Sequence, residues 1–142
     1  MNAMGGHDIE DIQVGMRGTY AKTVTEADII LFAGVTGDNN PVHIDAEAAA
    51  STMFNERIAH GMLSAGFISA VLGTKLPGPG SIYMSQSLKF LAPVKIGDTV
   101  KTVCEVTVVV PEKKRVTLKT TCYVRDKVVV DGDATMMVGA RN

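Results

Sequence analysis

An α+β fold, with an antiparallel sheet curved around one apolar helix, is what the sequence predicts, and three observations lead to it. Met62, Leu63, Ala65, Phe67, Ile68, Ala70, Val71 and Leu72 leave hardly any polar face on the stretch 61–75, the pattern of a helix covered on all sides. Downstream, Ser81 to Phe90, Thr99 to Val110, Val116 to Arg125 and Val128 to Val138 are rich in Val, Thr and Tyr and read as strands that supply the cover. Within the third of these, Val116, Leu118, Thr120, Cys122 and Val124 alternate with Thr117, Lys119, Thr121, Tyr123 and Arg125. One face is largely apolar and the other largely polar, as in a half-buried antiparallel strand.

The elements follow in chain order. With 142 residues, 46% of them hydrophobic, the chain is sized for one domain with a substantial core. Residues 1–13 read as an N-terminal segment, partly disordered over Met1 to Gly6, and 14–142 as a single domain. A short strand is expected near Gly18 to Val24. Thr25-Glu26-Ala27-Asp28 reads as a capping-box variant, and Ile29, Ile30, Phe32 and Ala33 continue at helical spacing to about Thr36. Gly37-Asp38-Asn39-Asn40-Pro41 is dense in turn formers, and Pro41 biases Asn40 away from helical angles, so Asp38 to His43 is expected to be a loop. Asp45 is placed to cap a short helix through the alanines at 46 and 48–50. Turns at Pro111 to Lys114 and at Asp126-Lys127 fit successive hairpins. A sheet around one helix leaves an unpaired edge, so the chain is expected to form a homodimer or a higher homo-oligomer.

Charge and composition exclude some partners. The 14 basic and 15 acidic residues are interspersed for a net charge of -1, which speaks against nucleic acid and against an anionic membrane surface. The apolar run Met62 to Leu72 is far shorter than the roughly 20 residues that span a bilayer. Met1 to Gly6 lacks the basic start and apolar core of a secretory signal, so a cytoplasmic location is expected. Cys104 and Cys122 have no close C-x-x-C spacing and read as reduced core thiols.

The residues with chemistry to offer cluster at two places. Asp38 and His43, five positions apart in a turn-rich segment, are able to reach one water molecule. Imidazole and carboxyl groups ionise in different ranges, so a dry pocket can keep one as base and make the other an acid. The same spacing also suits an Asx turn at Asp38 beside an ordinary, partly buried His43. The second place is His60-Gly61, just before the apolar helix. A glycine in a first helical turn leaves unpaired N–H groups at the positive end of the dipole, a receptor for a thioester carbonyl becoming an enolate, with no Cβ in the way. A plain loop-to-helix junction has the same sequence, and His60 is equally suited to stabilising the loop.

Gly37-Asp38-Asn39-Asn40-Pro41-Val42-His43 resembles the hydratase signature of the MaoC-like family. These are hot-dog fold proteins that include (R)-specific enoyl-CoA hydratases. The similarity continues through Ile58-Ala59-His60-Gly61-Met62-Leu63, Leu76-Pro77-Gly78, Gly80 to Tyr83, Gln86 to Phe90 and Pro93 to Asp98, and spans roughly Val14 to Val138. The resemblance implies that Asp38 and His43 hold and activate water, that Asn40 supports their loop, and that the Gly61 N–H binds the thioester oxygen. It implies syn hydration of a trans-2-enoyl-CoA to an (R)-3-hydroxyacyl-CoA, in fatty-acid or polyhydroxyalkanoate metabolism. No cofactor is implied, since coenzyme A belongs to the acyl-CoA substrate. Ser69 and Leu72 are implied to line the acyl pocket, with ordinary core packing an equal alternative for Leu72. The Gly78-Pro79-Gly80 loop and Lys89 are candidates to contact the coenzyme, though a lone lysine on a strand is usually just solvated. Met53, Met62, Met84, Met136 and Met137 are core fillers or the walls of an acyl tunnel. Competing expectations are a 3-hydroxyacyl-[acyl-carrier-protein] dehydratase, which a basic entrance at Lys89, Lys95 and Lys101 would favour although these lysines are too scattered to decide; a non-catalytic acyl-thioester-binding hot-dog subunit, against which the retained Asp38 and His43 speak; and a thioesterase, against which the hydratase-like loop speaks.

Overall fold

A computed structural model describes residues 1–141. Its strands are β1 (Arg17–Thr23), β2 (Ile82–Gln86), β3 (Lys89–Phe90), β4 (Thr99–Val110), β5 (Arg115–Val124) and β6 (Lys127–Met137), and its helices α1 (Glu26–Thr36), α2 (Pro41–Ile44), α3 (Ala46–Ala50) and α4 (Gly61–Thr74). The strands form one antiparallel sheet in the order β1-β4-β5-β6-β2, with β3 also paired to β6. The two hairpins that join β4, β5 and β6 turn at the expected places, where Lys114 and Arg125 adopt left-handed φ of 54°.

Helix α4 lies on the sheet. Ile68, Val71 and Leu72 are fully buried against Val100, Cys104, Val106 and Leu118. At about 1.5–3 kcal/mol for each buried Val, Leu or Ile, this contact dominates the core. All five residues read as the apolar face of β5 are buried, and Thr121 on the other face is buried as well, its hydroxyl 3.2 Å from Asp131 Oδ1. This is the sheet around a central helix that the hot-dog resemblance implied. Cover on all sides, however, is not what one chain supplies. Met62, Gly66, Ser69 and Gly73, at i, i+4, i+7 and i+11, form an exposed stripe on α4.

Three further departures have physical causes. The segment Asp38 to His43, expected as a loop, contains the helical turn α2, because Asn40 Oδ1 accepts from the Val42 N–H at 3.2 Å and Pro41 occupies the first helical position. The strand expected over Ser81 to Phe90 is split into β2 and β3. There the Ser87 carbonyl presses on β6 so closely that a Cβ at Gly132 would lie 1.8 Å from it. The first residues, read as partly disordered, are held onto the 77–80 loop: Asn2 Nδ2 donates to the Pro79 carbonyl at 2.7 Å and His7 N–H to that of Pro77 at 2.9 Å.

Between β1 and α4 the chain leaves the sheet for α1, α2 and α3. Thr25 Oγ1 accepts from Asp28 N–H and the Asp28 carboxylate from Thr25 N–H, the expected capping box, while Gly37 ends α1 at φ 82°. Ile29 and Ala33 seat α1 in the core. The chain returns through an isolated bridge between Ile58 and Lys95 and the Ala59 N–H bond to Val94. No helix among the described residues is long and apolar enough to cross a membrane.

Candidate active site

The excursion ends where α4 begins, and the junction holds the reactive side chains. His43 is 8% exposed, and its Nδ1 lies 2.8 Å from the Ile58 carbonyl. A carbonyl only accepts, so Nδ1 carries a proton, and in the neutral ring Nε2 holds the lone pair. Arg57 fastens the same turn: its Nε donates to the His43 carbonyl at 2.6 Å and its Nη1 to Glu26 at 2.8 Å. Asp38 is exposed, and its Oδ1 accepts from the Asn40 N–H at 3.3 Å. Donor atoms of Asp38, His43 and His60 lie within 4.8 Å of one another.

Two histidines and a carboxylate also suggest a metal site, and the ring geometry argues against one. His43 and His60 are stacked, 3.9 Å between centroids and 29° between planes. Nearly parallel rings direct their in-plane lone pairs side by side, whereas shared coordination needs them to converge. One nitrogen of each ring faces a carbonyl, Ile58 for His43 and Asp38 for His60, which leaves the other nitrogen of each ring without a protein partner among the described residues.

Beside this cluster opens a cavity of about 470 Å³, within the usual range for a small-molecule site. Asp38, His60 and Gly61 form its polar end, and Met62, Phe90 and Val130 belong to its apolar wall. The N–H of Gly61, first residue of α4, lacks an intrahelical partner by position. Phe90 stacks so tightly there that a Cβ on Gly61 would lie 2.6 Å from its ring.

The structure thus brings Asp38, His43 and Gly61 together, with Asn40 capping α2 beneath them and His43 beside the cavity rather than in its wall. Other expected positions lie elsewhere. Leu72 is fully buried in the core, Ser69 faces outward on the α4 stripe, and it is Ser64 that reaches the cavity. Gly80 belongs to the N-terminal contact, near Asn2 and Met4. Met53 and Met62 line the cavity, while Met136 is core. Of the lysines read as a basic entrance, Lys95 pairs with Glu56 at 3.6 Å and Lys101 lies on a polar groove of the sheet beside Arg17, Glu105 and Lys119. Phe54, Phe90 and Leu91 also line the cavity, and local sequence carries no signal for them. Burial pushes the Cys104 thiol up to about 12, with the neighbouring Cys122 adding to it, so these cysteines are inert core groups.

Known proteins are similar to this chain in sequence and in fold. An (R)-specific enoyl-CoA hydratase of Rhodospirillum rubrum is 62% identical over 135 residues, 95% of this chain and 94% of that protein. A 3-hydroxybutyryl-CoA dehydratase of Methylorubrum extorquens is 50% identical over 91% of this chain and 82% of its own length. Among solved structures, R-hydratase PhaJ1 from Pseudomonas aeruginosa, unliganded, superposes with a TM-score of 0.90 at 47% identity, over 96% of this chain and 88% of that one. The MaoC like domain matches residues 10–131, and with that match carried on a hot-dog fold, this chain belongs to the MaoC-like dehydratase family.

Proposed function

We propose that the chain is a hydro-lyase that reversibly hydrates trans-2-enoyl-CoA to (R)-3-hydroxyacyl-CoA, in fatty-acid or polyhydroxyalkanoate metabolism. One observation carries the reading: the exposed Asp38 carboxyl and the first amide of α4 lie on one apolar cavity, with the His43 imidazole clustered beside Asp38, in a chain 62% identical to a protein named for this activity.

In the hydration direction, Asp38 and His43 hold one water. Its oxygen bonds to C3 while a proton passes to the pair, and the C2–C3 π electrons move into the thioester as an enolate. The enolate oxygen accepts from the Gly61 N–H at the positive end of α4. C2 then takes a proton on the same face, so the net change is one water added. The thioester itself acidifies C2, and the chemistry therefore asks for no metal or redox group. Met53, Phe54, Met62 and Phe90 suit an acyl chain. The chain works as a homodimer or higher homo-oligomer joined along the free side of β2, whose residues are almost all exposed.

Loss of the conjugated enoyl absorbance, followed with crotonyl-CoA and longer enoyl-CoAs, tests the reading. Asp38→Asn and His43→Ala are each expected to cut turnover at least about 100-fold while the protein stays folded. Near-normal turnover in both variants would end the assignment. Faster reaction of the acyl-carrier-protein thioester than of the CoA thioester would favour the carrier-protein dehydratase instead, and a wild type inert on both would favour a non-catalytic binding subunit.

A further inference from the structure

We propose that His60 is a positioning residue, which sets the distance between the Asp38 carboxyl and the Gly61 amide and so aligns the two halves of the reaction. The proposal rests on the hydratase reading above and goes beyond it, since neither the acid/base pair nor the enolate amide includes this side chain.

The loop that carries Asp38 is bonded mainly to its own neighbours. Gly37 N–H donates to Ala33 O at 2.9 Å, Asp38 N–H to Thr36 Oγ1 at 3.2 Å and Asn39 N–H to Gly37 O at 3.0 Å. Every one of these partners lies within a few residues, so none fixes the loop relative to α4. One bond does. His60 Nε2 lies 2.9 Å from the Asp38 backbone carbonyl, 22 residues away in sequence. Because the carbonyl only accepts, Nε2–H donates, and the direction of the bond is set.

Nothing on the other side of the ring competes with this role. His60 Nδ1 is a buried atom without a hydrogen-bond partner, and the residue is 2% exposed. The ring is wedged between Phe32, at 4.7 Å, and His43, at 3.9 Å. Its backbone is the N-cap of α4, with the carbonyl accepting from Leu63 N–H at 3.0 Å, and its peptide bond runs directly into Gly61. A single rigid residue therefore touches the carboxyl-bearing loop, the imidazole of His43 and the amide at the start of α4. A displacement near 1 Å between groups that must act on one substrate costs up to about 100-fold in rate. The loop has no other such tie to α4 among the hydrogen bonds of the described residues.

The test compares His60→Gln, whose amide places a donor where Nε2 stood, with His60→Phe, which keeps the ring and removes the donor. Alongside them go Asp38→Asn and the double variant Asp38→Asn/His60→Phe, each with kcat and KM on crotonyl-CoA and a melting curve. His60→Phe is expected to lose roughly 30- to 100-fold in kcat with KM little changed, and His60→Gln to recover most of it. The double variant should be no more than about threefold slower than Asp38→Asn, because the two act on one group. If His60→Phe melts below the assay temperature, His60→Asn, too short to reach the carbonyl, replaces it. Full kcat in the donor-less variant, a Gln variant no better than it, or losses that multiply in the double variant would each overturn the proposal. Near-normal turnover of Asp38→Asn overturns it too, by removing the reading it rests on; an inactive Asp38→Asn beside a fully active His60→Phe removes the positioning role alone.

Discussion

On the proposed mechanism two requirements fall on Gly61: an amide open to substrate and a surface flat enough for Phe90. An alanine there meets Phe90 ring carbons at 2.6 and 2.7 Å. Phe90 is 53% exposed and able to move, but its ring is part of the cavity wall, so its displacement is a displacement of the site. Gly61→Ala is expected to lower kcat/KM roughly tenfold or more with little change in melting temperature, and Gly61→Ala/Phe90→Leu to regain part of the loss. An alanine variant of full activity would show that the close approach is incidental. That Asp38, His43 and Gly61 come close together was legible because each sits in a short run whose turn formers and helix start are local properties. The places of Ser69 and Leu72 were not, because helical spacing alone does not say how far along α4 a cavity extends; the cavity touches only the first turn, through Met62 and Ser64. Phe54 and Leu91 come to the site through tertiary contact from separate loops.

The capping box of α1 shows how an element's stability depends on acid. Burial raises the Asp28 carboxyl, but hydrogen bonds from Lys22 and from Thr25 outweigh it and hold the group below its usual range. A carboxyl lowered in the folded state contributes stability above its unfolded pKa, and the contribution is lost as pH falls through the folded one. Between about pH 5 and pH 2 the melting temperature of the wild type should therefore fall more than that of Asp28→Asn. Parallel curves would mean the carboxylate contributes nothing. Thr25→Ala should cost about 1 kcal/mol at neutral pH. This box, the strand boundaries and α4 were readable because capping and periodicity are written in adjacent residues. The α2 turn is too short for any period to reveal, and the split between β2 and β3 comes from Ser87 meeting Gly132, a contact between positions 45 apart.

For the molecule as a whole, the sheet ends at β2, where Ile82 is 56% and Met84 47% exposed. An apolar strand with one free side is a pairing template. Light scattering is expected to give at least twice the 15.0 kDa of one chain, and Ile82→Lys with Met84→Lys to return it to one. A wild type of single-chain mass would sink the oligomer reading. The other large-scale feature is where the chemistry is mounted. Strands β4, β5 and β6 are laddered along nearly their full lengths, whereas α2 and α3 pack mainly on one another and are tethered by Arg57 and the Ile58–Lys95 bridge. Segments so thinly anchored open below the global transition. On warming, turnover should vanish several degrees before the far-ultraviolet signal of the sheet changes, and deuterium should enter 38–58 ahead of 99–137; simultaneous loss would mean one cooperative unit. The consequence is a division of labour in heat tolerance: reinforcing the sheet gains little working temperature, while a staple across the short helices α2 and α3 gains it directly.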